Sequence, residues 1–300
     1  MQVLCFGSLN IDYVYQVPHF VARGETLSSV SLTRHSGGKG LNQAIALRKA
    51  GLETHLAGAI GSDGVFLLEE LRSAGVDTGH VKRLEKERTG HAVIQRTRAG
   101  ENCILLYGGA NQRITRQQID ETLSNFSALD LLVVQNEICE LDYLVERARD
   151  KGMAVALNPS PMDDSLCRLL RAVDYLLLNE VEAGQLLSAD PTGDARSMTE
   201  KLRKRYPAIT VVLTLGERGA LYAAQDGVFF EAALPVRAVD TTAAGDTFTG
   251  FFLAGLLSSR DPAWSMKYAA TAAAIAVTRP GAAPSIPERT EVLARMAATV

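Results

Sequence analysis

The chain has 300 residues, 47% of them hydrophobic, with 31 Lys and Arg against 34 Asp and Glu and a formal net charge of −3. That apolar content builds a sizeable core and excludes a disordered chain, while near-balanced charge without runs of one sign gives no footing for a nucleic acid or a membrane surface. The four cysteines, Cys5, Cys103, Cys139 and Cys167, lack C-x-x-C or zinc-finger spacing and read as free thiols, which suits a reducing compartment. The first residues lack the basic region and long apolar segment of a signal peptide, and the Ala-rich stretch at 269–277 is too short to span a bilayer. A cytoplasmic location is expected.

The apolar run at 3–6 predicts a buried strand that ends at Gly7-Ser8. Asn10 and Asp12 then alternate with Leu9 and Ile11, which in a strand puts both polar side chains on one face. An amide beside a carboxylate suits a polyhydroxy ligand, although a turn favouring Asn and Asp gives the same letters. Segments 13–17 and 26–34, and later 92–97 and 103–107 with a Gly100 hairpin signal between them, predict a small, partly exposed sheet. Between these pairs lies Ser36-Gly37-Gly38-Lys39-Gly40-Leu41-Asn42-Gln43-Ala44, running into a helix to about residue 51. Its glycines permit close approach of the backbone to a ligand, or simply a flexible loop. It is not a Walker A loop, because Gly follows Lys39. A strand at 54–60, a turn at 61–64 and a helix at 65–74 come next.

From residue 131 the pattern becomes alternating strands (131–135, 154–157, 175–178, 210–214) and helices (141–151, 198–206), which argues a parallel sheet covered on both faces. Ligands of such sheets sit beyond the C-terminal strand ends. Those ends carry Gln135 and Glu137, Asn158, Asn179 with Glu180 and Glu182, and Thr214 with Gly216. The stretch 239–250 reads as a small-residue loop entering an apolar helix. A helix start offers unpaired N–H groups to an anion, and Asp246 at that place can take a proton from an attacking hydroxyl. Together they suggest phosphoryl transfer to an alcohol; an acid that merely caps the helix is the other reading. An Ala-rich helix at 264–278 ends in a Pro- and Gly-containing loop to Ser285, which is either a cation site made of carbonyls or a plain helix stop.

Two of these stretches, 36–44 and 240–248, resemble the hallmark segments of the PfkB carbohydrate kinases, the sugar kinases of the ribokinase type. Gly7 to Asp12, Gly109-Ala110-Asn111, Leu157 to Pro161, Asn179 to Glu182 and Thr214 to Gly219 match in the same order, so the resemblance runs essentially end to end. It implies one α/β domain over 1–300: a three-layer fold with a mainly parallel central sheet flanked by helices, and a small β-sheet lid from about 12–35 and 90–108. It implies transfer of the γ-phosphoryl of ATP to the primary hydroxyl of a pentose, ribose first. Another sugar or a nucleoside is the alternative, and a non-catalytic sugar-binding regulator a more distant one. Asp246 is then the base, and Ala244, Gly245 and Asp246 form an anion hole. Asn10, Asp12, Gly38, Lys39, Asn42 and Glu137 hold the sugar. Asn179 and Glu182 lie near the phosphates and a hydrated Mg²⁺, and Thr214, Gly216, Glu217 and Gly219 line the nucleotide. A potassium ion is bound by Asp240, Ser285 and carbonyls of Thr242, Ala276, Arg279 and Gly281. A homodimer through the lid is expected. Ile11 and Leu41 are bulkier than the family's usual residues beside the sugar, Arg34 and His35 are unusual, and Ala270 stands where a polar residue often borders the adenine.

Overall fold

The computed structural model describes residues 1–298 apart from 226, 259 and 260. Its strands are β1 (Val3–Phe6), β2 (Asn10–Gln16), β3 (Ser31–Gly37), β4 (Thr54–Gly61), β5 (Asp77–Leu84), β6 (Gly90–Arg96), β7 (Asn102–Tyr107), β8 (Leu131–Gln135), β9 (Ala154–Asn158), β10 (Tyr175–Asn179), β11 (Thr210–Thr214), β12 (Gly219–Ala224) and β13 (Gly227–Ala232). Its helices are α1 (Lys39–Lys49), α2 (Val65–Ser73), α3 (Arg116–Leu123), α4 (Leu141–Asp150), α5 (Glu180–Leu187), α6 (Ala195–Arg205), α7 (Ala244–Leu257), α8 (Pro262–Ala276) and α9 (Arg289–Ala297).

The large sheet runs β13-β12-β11-β10-β9-β8-β1-β4-β5, parallel except for β12 and β13. Its central strands are short apolar runs because both faces are covered. Residues alternate between two cores: Val3 and Cys5 of β1 pack on the side of α1, α7 and α8, and Leu4 and Phe6 on the side of α4 and α6. A three-layer α/β fold follows, with helices on both faces and a separate small sheet ordered β3-β2-β6-β7. The chain leaves β1 at Gly7 and enters β2 at Asn10, so three residues join the two sheets.

Several elements differ from the sequence reading. The strand expected at 26–34 lies at Ser31–Gly37, because pairing with β2 sets its register from Asn10↔Gly37 to Gln16↔Ser31. β5, β12 and β13 have no counterpart in that reading. β5 and β13 are largely polar or exposed edge strands without a periodic apolar signal. The apolar helix entered from the 239–250 loop begins at Ala244.

One crossing places the chemistry. α7 passes over α1 at Gly250, where a Cβ would stand 2.5 Å from Ala46 Cβ and 2.7 Å from Leu47 N. Only glycine lets the helices run that close. One turn back along both helices, Asp246 therefore meets Asn42 and Gln43.

Candidate active site

At the seam between the sheets, the glycine loop lies against the 7–10 turn. Gly38 adopts φ +94°, and a Cβ there would stand 2.8 Å from Ser8 O and 2.9 Å from Asn10 N. Leu41 N donates to Ser8 O at 3.0 Å, which ties the start of α1 to the same turn. Asn10 is buried, and its Oδ1 accepts from Asn111 Nδ2 at 2.8 Å. Glu137 follows β8 and accepts from the Ser8 hydroxyl and, at 3.2 Å, from Lys39 N. Burial, and then the charge of Glu137, push the Asp12 carboxyl up to about 7. Among the described residues, none donates a hydrogen bond to that carboxyl. A Cβ on Gly37 would fall onto the Asp12 carboxylate. Burial pulls the Lys39 ammonium down, yet the charges of Asp246, Glu137 and Glu182 outweigh it and hold the group above the ordinary lysine value. Lys39 thus feels the charge of carboxylates from three separate parts of the chain.

Asp246 is buried in the first turn of α7. Its Oδ2 accepts from Asn42 Nδ2 at 3.0 Å and its Oδ1 from Gln43 Nε2 at 2.9 Å. Ala243 before it takes the left-handed conformation at φ 58°, which turns the loop sharply into the helix. Ala244 N donates weakly to Thr241 O at 3.3 Å. The N–H groups of Gly245 and Asp246 have no intrahelical carbonyl to meet. A Cβ built on Gly245 has nothing within 4 Å, so this helix end faces open space. A buried carboxylate and a positively polarised helix end thus lie side by side.

On the other side, β10 and β11 end at Asn179 and Thr214, which pair in register. Asn179 caps α5: its Oδ1 accepts from Glu182 N at 2.9 Å, and Glu182 Oε2 accepts from Asn179 N at 3.0 Å. Thr214 Oγ1 donates to Leu178 O at 3.3 Å. Gly216, at φ +59°, and Glu217 are exposed on the following turn. Gly219, at φ +123°, leads into β12, where a Cβ would collide with Glu231 O.

The two loops of the expected cation site also meet. Asp240 Oδ1 accepts from Thr242 N and Oγ1 at 3.0 and 2.6 Å, and its Oδ2 from Gly281 N at 3.2 Å. The Arg96 guanidinium of β6 stands 3.7 Å from the same carboxylate. Burial raises Asp240, but the bonds from Thr242 and Gly281 and the Arg96 charge prevail and hold it below the ordinary carboxylate value. Ser285 is fully buried and donates to Ala282 O at 2.7 Å, and Ala276 O already accepts from Arg279 N at 3.0 Å. Carboxylate, hydroxyl and carbonyl oxygens suit a hard monovalent cation. Among the described residues, no three or more His, Cys, Asp or Glu side chains converge to hold a metal ion.

Gln43, Ser8 and Asn111, given no role of their own in the sequence reading, bond to the expected site residues Asp246, Glu137 and Asn10, and Gln135 and Asn158, placed by that reading at the strand ends, bond to Gln43. The available signal was an amide closing each apolar run, as Gln135 does after Leu131 to Val134. Ile11 and Leu41 face the core, not the cleft, and Ala270 is buried in the same core. Arg34 is exposed and lies over the Phe66 ring at 4.4 Å, while His35 is exposed and bonded to Thr33 Oγ1 at 3.0 Å.

The family model for "pfkB family carbohydrate kinase" matches residues 1–289. The chain is 34% identical to a ribokinase of Haemophilus influenzae over 293 residues, covering 96% of this chain and 95% of that protein. It is 30% identical to a deoxyribokinase of Salmonella typhi over 305 residues, covering 96% of each. The structure of Arabidopsis thaliana ribokinase complexed with ribose and ATP superposes with a TM-score of 0.87 at 29% identity, over 98% of this chain and 97% of that one. The chain therefore belongs to the pfkB family of carbohydrate kinases and is a sugar phosphotransferase of the ribokinase type.

Proposed function

We propose that the chain transfers the γ-phosphoryl of ATP to the primary hydroxyl of a pentose, D-ribose in the first place. The observation that carries this reading is the Asp246 carboxylate, fixed by two amides beside the free N–H groups of α7. The hydroxyl gives its proton to Asp246 as its oxygen bonds to phosphorus, and the bond from phosphorus to the ADP oxygen breaks. The N–H groups of Gly245 and Asp246, joined by that of Ala244 once it leaves its long bond to Thr241 O, would face the charge that spreads over the phosphoryl oxygens, and the helix start fixes them beforehand. Asn10, Asp12, Gly38, Lys39, Asn42 and Glu137 hold the sugar hydroxyls, and the unmet Asp12 carboxyl is an acceptor ready for one of them. Thr214, Gly216, Glu217 and Gly219 border the nucleotide.

Asn179 and Glu182 are oxygen donors that suit a hydrated Mg²⁺, which supplies neutralisation of the outer phosphates when bound. Asp240 and Ser285, with the carbonyls of Thr242, Ala276, Arg279 and Gly281, would hold K⁺ and so stiffen the loop that carries the anion hole. The whole chain then acts as one domain, with β2, β3, β6 and β7 as a lid that excludes water from the cleft. A homodimer through this lid fits its β7 edge, where Ile104, Leu105, Leu106 and Tyr107 are exposed. No described helix is long and apolar enough to cross a membrane.

Similarity to the Salmonella protein makes deoxyribose the leading alternative acceptor. An ADP-release assay over ribose, deoxyribose, ketoses and nucleosides tests the reading. Ribose giving the highest kcat/KM supports it; a higher value for another sugar moves the assignment, and no turnover with any of them removes the kinase reading.

A further inference from the structure

We infer that Gln43 and Gln135 form a positioning relay that holds the Asp246 carboxylate in one orientation, resting on the kinase reading only for what that carboxylate does. A carboxylate only accepts hydrogen bonds, so Gln43 must turn its NH₂ toward Asp246. Both N–H bonds of that group are then used, on Asp246 Oδ1 at 2.9 Å and on Asn158 Oδ1 at 3.2 Å. Asn158 is fixed in its turn by donating to Leu177 O at 2.9 Å. The remaining Gln43 Oε1 accepts from Gln135 Nε2 at 2.6 Å. Each amide thus dictates the polarity of the next, and Gln43 cannot flip unless Gln135 flips with it.

Gln43 and Gln135 are both fully buried, at 0% exposure, so neither can touch a substrate. β1 supports the far end: Gln135 Nε2 lies 3.7 Å from Cys5 Sγ, whose thiol donates to Gly40 O at 3.3 Å. Gly7 leaves room for Gln135 Oε1, onto which a Cβ would fall. The arrangement has a cost. Gln135 Oε1 is buried with no hydrogen-bond partner among the described residues, a penalty that an apolar residue at this strand end would avoid. Retaining it makes sense where the other half of the amide is needed.

The test is a set of Gln43→Met and Gln135→Met variants, alone and together, and each of them in an Asp246→Asn background. Gln43→Met is expected to lower kcat by about ten- to a hundredfold with KM for the sugar within about twofold, since a misplaced base weakens only the transition state. Gln135→Met is expected to lower kcat by a smaller factor in the unmodified chain and not at all in the Gln43→Met chain, because it acts through Gln43. Melting temperatures give a readout that needs no substrate: Gln43→Met should lower Tm more when Asp246 is present than when it is replaced. Should Gln43→Met fail to fold, the kcat-against-KM split of Gln135→Met decides in its place. The relay is overturned if Gln43→Met keeps its kcat, or if Gln135→Met costs as much with Gln43 replaced as with it intact. In either case the kinase reading stands so long as the unmodified chain phosphorylates a sugar. If the unmodified chain phosphorylates none, that reading falls and the melting cycle alone decides: coupling between 43 and 246 upholds the relay, and its absence overturns it.

Discussion

Asp246 and Asp12 are two carboxylates of one site, and they are supported in opposite ways. Asp246 already accepts two amide hydrogen bonds, from Asn42 and Gln43, before any substrate arrives. Asp12 accepts none, is pushed up to about 7 by burial and by Glu137, and lies at the seam where the small sheet begins. Asp246, the proposed base, is held between two packed helices, α1 and α7. Asp12, proposed to hold a sugar hydroxyl, is left without a hydrogen-bond donor among the described residues, so that binding would supply what the fold withholds.

The comparison breaks most visibly at Asp246. Asp246→Asn should lower kcat by about a thousandfold or more, in the range for loss of a general base, while calorimetry still finds sugar binding within a few-fold. Comparable turnover in the variant would place the base elsewhere.

Asp12→Asn should instead raise KM for the sugar by about tenfold or more with a smaller effect on kcat. It should also separate binding from stability. The folded-state value of Asp12 lies at about 7, above the ordinary 3.8, so the free protein loses stability as pH rises through that window. Asp12→Asn should therefore raise Tm at pH 8 and leave it nearly unchanged at pH 4. Equal Tm differences at both values would show that burial of the charged form is not the cause.

Replacing potassium by sodium is expected to lower kcat on the order of tenfold, through a looser anion hole. Asp240→Asn should remove the difference between the two ions, which initial rates in paired buffers would show. The smallest effect belongs to Ala243, held at φ 58°. Ala243→Gly should relieve about 1 kcal/mol of left-handed strain, raise Tm by roughly 2–4 °C and leave KM for the sugar unchanged. A fall in Tm would mean that the strain is not there to be relieved.

The central strands and α7 were legible because burial on both faces writes itself as short apolar runs such as Leu131 to Val134 and Val211 to Leu213. β5 was not, since His80, Lys82 and Arg83 of an edge strand carry no such signal. The offset of β3 came from pairing with β2, which no local pattern records. Asp246 stood out as an acid at a helix start. Gln135 was placed at a strand end but its bond to Gln43 was not foreseen, because an amide's partner depends on what topology brings to it, here 92 positions along the chain. Asn179 and Glu182 have the spacing of a capping box, and the structure uses them as one.

The bond between Asn42 and Asp246 spans 204 positions of sequence. During synthesis the amides, the glycine loop and most of the parallel strands emerge well before the residue they serve. A polypeptide released early, or cut before α7, lacks Asp246 and also Phe248, Phe251 and Phe252, which fill the core on one face of the central sheet. The proposed base therefore arrives together with the cover of that core, in about the last fifth of the molecule, and a shorter chain exposes apolar surface before it offers any reactive carboxylate.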